Sequence, residues 1–155
     1  MNLLLSAILL TQSAFAPVVN ASAWIGSRPT AASFAGRVVI LDVFTFDCIN
    51  CKHVQPELRS LRAHYSPADL LIVGIHTPET PFERDRANVV RALAAQSITW
   101  PVAIDNDEKL WNAYGVQYWP TQLIFDRHGR LRKTVVGEGS DADVASTVAA
   151  LVAER

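Results

Sequence analysis

Apolar positions along the chain alternate between strand-like runs and helix-like stretches. "RVVILDVFTF" (37–46) is an unbroken β-branched and aromatic run, and "DLLIVGIHT" (69–77) is a second; both predict buried strands. Between them, Cys48 to about Tyr65 predicts a helix with Pro56 inside it and Ser66-Pro67 as its stop. Pro81 to Gln96 is amphipathic, with Phe82, Val89, Val90 and Leu93 on one side and Pro81 suited to a first helical turn. "WPVAID" (100–105) predicts a short strand, and Asn106 or Asp107 is placed to cap a helix that runs to Tyr114 and ends at Gly115. "TQLIFD" (121–126), an "RHG" turn and "RLRKTVV" (130–136) predict a hairpin, and Asp141 to Ala153 the last helix, entered through "GEGSD". Residues 17–36 are irregular, with a short strand around Trp24. Alternating strands and helices predict an α/β fold with parallel strands and helices on both faces, and the late hairpin makes the sheet mixed.

Composition narrows the class. The chain has 155 residues, half of them hydrophobic, enough for one domain with its own core. Lys plus Arg number 14 against 15 acids, so net charge gives no case for nucleic acid or an anionic membrane. The opening "MNLLLSAILLTQSAFA" is apolar and uncharged and resembles an export leader, although a basic n-region is missing apart from the α-amine. Ala14-Phe15-Ala16 fits a cleavage pattern but is followed by Pro17, and Ala21-Ser22-Ala23 is a second candidate. The expected division is therefore a leader over 1–23, cleaved after 16 or 23, and a domain over 24–155. A buried N-terminal helix is the alternative.

Chemistry concentrates in "FTFDCINCKH" (44–53), which holds both cysteines of the chain. Cys48 falls where a central strand gives way to a helix. Unpaired N–H groups and the helix dipole there favour a thiolate, with the backbone N–H groups of Asn50 and Cys51 as expected donors to its sulfur. Cys51, one turn on, is placed to close a short ring, as a resolving thiol behind an exposed attacker. Two other readings compete. A structural staple closing so short a loop is worth only about 2 kcal/mol. A copper or zinc carrier would need Cys48, Cys51 and a histidine such as His53 to converge, since a second CxxC is absent. Haem attachment would need histidine where Lys52 stands. Asp42, six residues before Cys48, is a carboxylate inside a buried strand. Desolvation is expected to raise its pKa towards neutrality and fit it to take the proton of Cys51; an acid at a watered strand edge is the alternative.

These residues together resemble the thioredoxin fold. "ILDVFTFDCINCKHVQP" is similar to the thioredoxin active-site strand and helix, through Asp42, Cys48, Cys51, Lys52 and the kinking Pro56. "YGVQYWPTQLIFDRHGRLRKTVVGEG" is similar to the second thioredoxin signature. The resemblance implies a cis-proline at Pro120 before Thr121, facing the CxxC, and a glycine, Gly137, bordering the substrate groove. "CINC", "GIHTPE" and "DNDEKLWNAYGVQYWP" are similar to the DipZ-like branch of the TlpA-like group, which carries an inserted α-β unit, here roughly 78–105. What the family implies is an exported thiol–disulfide oxidoreductase with no dissociable cofactor. It would reduce disulfides in envelope proteins with electrons from a separate membrane carrier of CcdA or DsbD type. Ile-Asn between the cysteines, and Asp47 in place of the usual tryptophan, are departures that bear on redox poise.

X–Pro bonds alone adopt cis readily and a proline offers no N–H. Pro120 would thus leave the Trp119 carbonyl and N–H for an extended substrate backbone and keep metals off the dithiol. An ordinary trans proline, as at Trp100-Pro101, is the alternative. His76 ends a strand on the active-site edge and serves either proton transfer or strand capping. A thiol peroxidase on the same fold is a further rival.

Overall fold

A computed structural model describes residues 14–139 and 141–154. The strands are β1 (Ala23–Ile25), β2 (Val38–Phe44), β3 (Leu70–His76), β4 (Val102–Ile104), β5 (Thr121–Phe125) and β6 (Leu131–Val136). Residues 14–19 are helical (α1). A 3-10 turn covers Ala31–Phe34, and the later helices are α2 (Ile49–His64), α3 (Pro81–Arg84), α4 (Arg86–Ala95), α5 (Lys109–Ala113) and α6 (Asp141–Ala153). One mixed sheet holds the strands in the order β1-β4-β3-β2-β5-β6. At its centre β2 runs parallel to β3 and antiparallel to β5.

All seven residues of β2 are buried, which is why its sequence is apolar without alternation. Val38, Ile40 and Phe44 face α2, α4 and α6 through Leu58, Leu61, Val89, Leu93, Val148 and Leu151. Val39, Leu41 and Val43 face the opposite layer, with Phe15 and Val18 of α1, Phe34 and Leu110. The parallel β2 and β3 end together at Phe44 and His76. The antiparallel β5 begins opposite Val43, so Pro120 arrives at that same sheet end. The inserted α3, α4 and β4 lie between the β2-α2-β3 and β5-β6-α6 halves, as expected.

Two helices differ from the sequence reading. The Pro81–Gln96 stretch is broken at Asp85, whose carboxylate accepts from the N–H groups of Ala87 and Asn88 at 2.8 and 3.1 Å and starts α4 afresh. Val89 and Leu93 consequently face the core, while Phe82 and Val90 stay exposed at 60% and 44%. Neither Asn106 nor Asp107 caps α5. Buried Asp105 does, accepting from the N–H groups of Leu110 and Trp111 at 2.8 and 2.9 Å.

The folded unit also starts ahead of the expected boundary at Trp24. Phe15 stacks on Phe34 at 4.5 Å and meets Phe125 edge-on at 4.9 Å. Tyr114 donates to the Ala14 carbonyl, and Arg28 to that of Val19. Of the expected leader, residues 1–13 lie outside the described residues.

Candidate active site

Cys48 is the N-cap of α2, with extended backbone. The residue is partly exposed, and its sulfur accepts from the Cys51 N–H at 3.2 Å, one of the two expected donors; the Asn50 N–H, in the first turn, does not make this bond. Cys51 lies inside, 1% exposed. Burial pushes its thiol far above the ordinary range, the Cys48 hydrogen bond and the charges of Cys48 and Asp42 push further, and only a backbone hydrogen bond from Thr45 opposes them. The two sulfurs thus differ in kind: one presented at the junction, the other protonated until a base takes its proton.

Asp42 is fully buried, with Gln122 Nε2 donating to one carboxylate oxygen at 2.9 Å and Gln55 Nε2 to the other at 3.1 Å. Burial raises its pKa to about 6, against the lowering by these amides. Moving a carboxyl from 3.8 to about 6 is worth roughly 3 kcal/mol. The fold favours the neutral acid, so this contribution is full below pH about 4 and lost as pH rises through about 6. The stability of the wild-type chain should fall over that window, and Asp42→Asn should flatten the fall. An Asn amide there meets a glutamine Nε2 donor, so one glutamine must turn its Oε1, which has no partner to lose, inward to accept from it. Denaturant unfolding at a series of pH values measures both; parallel curves for the two proteins would refute it.

His76 is buried, stacked on Phe46, with its pKa lowered to about 4 by burial against the opposing charge of Glu83. Its Nε2 accepts from the Phe46 N–H at 3.3 Å and lies 3.3 Å from Thr45 Oγ1. It props the cysteine loop as a neutral ring. His53 is paired with Glu138, next to Gly137 in sequence. Among the described residues no three of His, Cys, Asp and Glu converge as metal ligands.

The Trp119-Pro120 bond is cis, and Pro101 follows a trans bond. Trp119 is held by its indole N–H to the Thr77 carbonyl at 3.0 Å and by its ring against Trp111 at 4.3 Å. Among the described residues, nothing takes its backbone N–H or carbonyl. Thr121 Oγ1 donates to the Tyr118 carbonyl at 2.7 Å, closing the turn, and Gly137, at φ 83°, donates its N–H to the Pro120 carbonyl at 2.9 Å. Ile49 and Tyr118, neighbours in sequence of Cys48 and Trp119, are exposed at 61% and 64%.

Gln55, Gln122, Thr45 and Glu83 were not singled out by the sequence. Gln55 and Gln122 are polar residues on otherwise buried elements, which was a readable signal. For Glu83 the T-x-x-E pattern of Thr80–Glu83 marked a capping box.

Redoxin is the family whose sequence model matches the chain, over residues 13–151. The chain is similar to Protein DipZ of Mycobacterium bovis, 35% identical over 124 residues, which are 79% of this chain and 18% of DipZ. It is also similar to thiol-disulfide oxidoreductase YkuV of Bacillus subtilis, 27% identical over 116 residues, covering 74% of this chain and 78% of that protein. In backbone it is similar to a thioredoxin-like superfamily protein of known crystal structure, with TM-score 0.77 and 23% identity over 87% of this chain and 94% of the other.

Proposed function

The chain belongs to the redoxin family, and from that premise we propose that it is a thiol–disulfide oxidoreductase that reduces disulfides in envelope proteins through Cys48 and Cys51, without a dissociable cofactor. The Cys48 thiolate attacks one sulfur of the substrate disulfide, and the other leaves as a thiolate. Cys51 then gives its proton to Asp42 and attacks the Cys48 sulfur. The substrate is released reduced and the Cys48–Cys51 disulfide remains. Two electrons from a separate membrane carrier of CcdA or DsbD type restore the dithiol. Trp119 pairs with the extended substrate backbone through its unused N–H and carbonyl, while Pro120, Thr121 and Gly137 shape the turn that presents them.

The observation that carries this reading is the contrast between the two sulfurs. A partly exposed Cys48 accepts a backbone N–H, and a buried, proton-retaining Cys51 lies within the field of a carboxyl poised near pH 6. In that pairing Asp42 is worth the usual ~10²-fold of general base catalysis. Export rests on the apolar opening of the chain. Because α1 belongs to the core, we place any processing ahead of Ala14. Among the described residues no helix is long and apolar enough to cross a membrane.

Equilibration of the purified protein with glutathione buffers, together with insulin reduction, tests the direction of electron flow. The reading expects a reduction potential near or below about −270 mV, where thioredoxin sits, and turnover of insulin disulfides. A potential near about −120 mV, that of a strong oxidant, would replace a reductant with an oxidase.

A further inference from the structure

Glu83 is a buried carboxylate, 1% exposed, that the inserted segment brings against the cysteine loop. Its Oε2 accepts from the N–H groups of Glu79 and Thr80 and from Thr80 Oγ1, at 2.9, 2.7 and 3.1 Å. Those bonds complete the start of α3. The other oxygen has no part in that cap. Oε1 accepts from Thr45 Oγ1 at 2.5 Å and from the Asp47 N–H at 3.3 Å. Thr45 in turn takes the Cys48 N–H on its carbonyl at 3.4 Å and hydrogen-bonds the Cys51 thiol through its backbone. Burial works against the charge of Glu83, yet the bonds from Thr45, Thr80 and Glu79 outweigh it and hold the carboxyl below its ordinary range. Among the described residues no lysine or arginine pairs with it. The other ionisable groups around the loop are Asp42 beneath it, the neutral His76, and the solvent-facing Asp47–Lys52 pair, whose screened charges count for little.

We propose that Glu83 is a positioning residue which fixes the Thr45–Asp47 loop under Cys48 and, as a negative charge with no cation paired to it, poises the Cys48–Cys51 couple toward the reducing side. The inference rests on the dithiol reading above. Oxidation of the couple, from a Cys48 thiolate and a Cys51 thiol, joins the two sulfurs and releases two electrons and one proton, to a substrate disulfide that becomes a thiol and a thiolate. The disulfide is neutral and indifferent to a nearby charge. A Cys48 thiolate is not: a fixed carboxylate disfavours it, so the dithiol form loses part of its stabilisation and gives up electrons more readily.

The test is equilibration with glutathione at neutral pH, read by mass spectrometry of the trapped thiols, for wild type, Glu83→Gln, Glu83→Asp and Thr45→Val. Glu83→Gln removes the charge and should shift the equilibrium toward the dithiol by about three- to tenfold, equivalent to about 15–30 mV. Glu83→Asp keeps the charge and should stay within about twofold of wild type. Thr45→Val removes the donor at 2.5 Å while the Oε2 bonds keep the carboxylate in place. It leaves the charge less compensated and should shift the equilibrium the other way, toward the disulfide. That variant decides the matter if Glu83→Gln does not fold. A folded Glu83→Gln protein with the wild-type equilibrium, or Thr45→Val moving toward the dithiol, overturns the proposal. A wild-type pair that does not exchange with glutathione overturns the dithiol reading itself and this proposal with it.

Discussion

Cys48→Ser is expected to reduce insulin no faster than buffer, and Cys51→Ser to stall after the first step as a lasting mixed disulfide. The asymmetry follows from where the sulfurs sit. Cys48 is partly exposed at the N-cap of α2, with the Cys51 N–H directed at its sulfur. A serine hydroxyl there remains protonated and does not attack a disulfide, so no later step has a substrate. Cys51 is buried and holds its proton tightly, so it does not compete for the first attack. Its advantage is intramolecular: a sulfur one helical turn from the mixed disulfide acts at an effective concentration of order 10⁵ M or more when well oriented. Without it, release waits for an external thiol. Non-reducing gels of Cys51→Ser mixed with a disulfide substrate should show a covalent adduct that dithiothreitol removes and Cys48→Ser does not form. Adducts through Cys51 in the Cys48→Ser protein would reverse the assignment of roles.

A chain beginning at Trp24 is expected to be severely destabilised. Phe15 and Val18 are 1% and 0% exposed, and Ala21 is 8% exposed. Burying a Phe or Val side chain contributes ~1.5–3 kcal/mol, so the first two account for about 3–6 kcal/mol. A typical domain has a net stability of only ~5–15 kcal/mol. The loss also uncovers Phe34 and Phe125, which Phe15 contacts, and leaves Tyr114 without its acceptor at Ala14. At this chain length the melting temperature should drop by roughly 10–20 °C. Calorimetry on chains starting at Ser13 and at Trp24 separates the outcomes. Equal melting temperatures would show that α1 adds nothing to the fold.

Much of this arrangement was legible because burial writes itself plainly where both faces of a strand are covered. The run at 37–46 became β2 and the run at 69–77 became β3, while the last helix kept its bounds at Asp141 and Ala153. The junction after β2, with Cys48 at the helix start, followed from the same pattern. Three things did not. Phe15 and Val18 sit in an apolar opening whose composition is that of a leader as much as of a core helix, and only the aromatic partners Phe34 and Phe125 distinguish the two. The Pro81–Gln96 helix kept its period in the sequence, but Asp85 competes as a cap and resets the helix. The Asp42 clamp depends on register, since Gln122 reaches it only because β2 and β5 pair Asp42 with Gln122. For His76 the sequence left proton transfer and capping open. The structure gives it the backbone of Phe46 and a ring that stays neutral.

The division of labour between the two sulfurs is tested most directly by alkylating the reduced, folded wild-type protein with iodoacetamide and mapping the label by peptide mass spectrometry. Modification of Cys48 alone, with Cys51 reacting only after denaturation, is the expected result. Labelling of Cys51 in the folded protein as fast as Cys48, or faster, would contradict it.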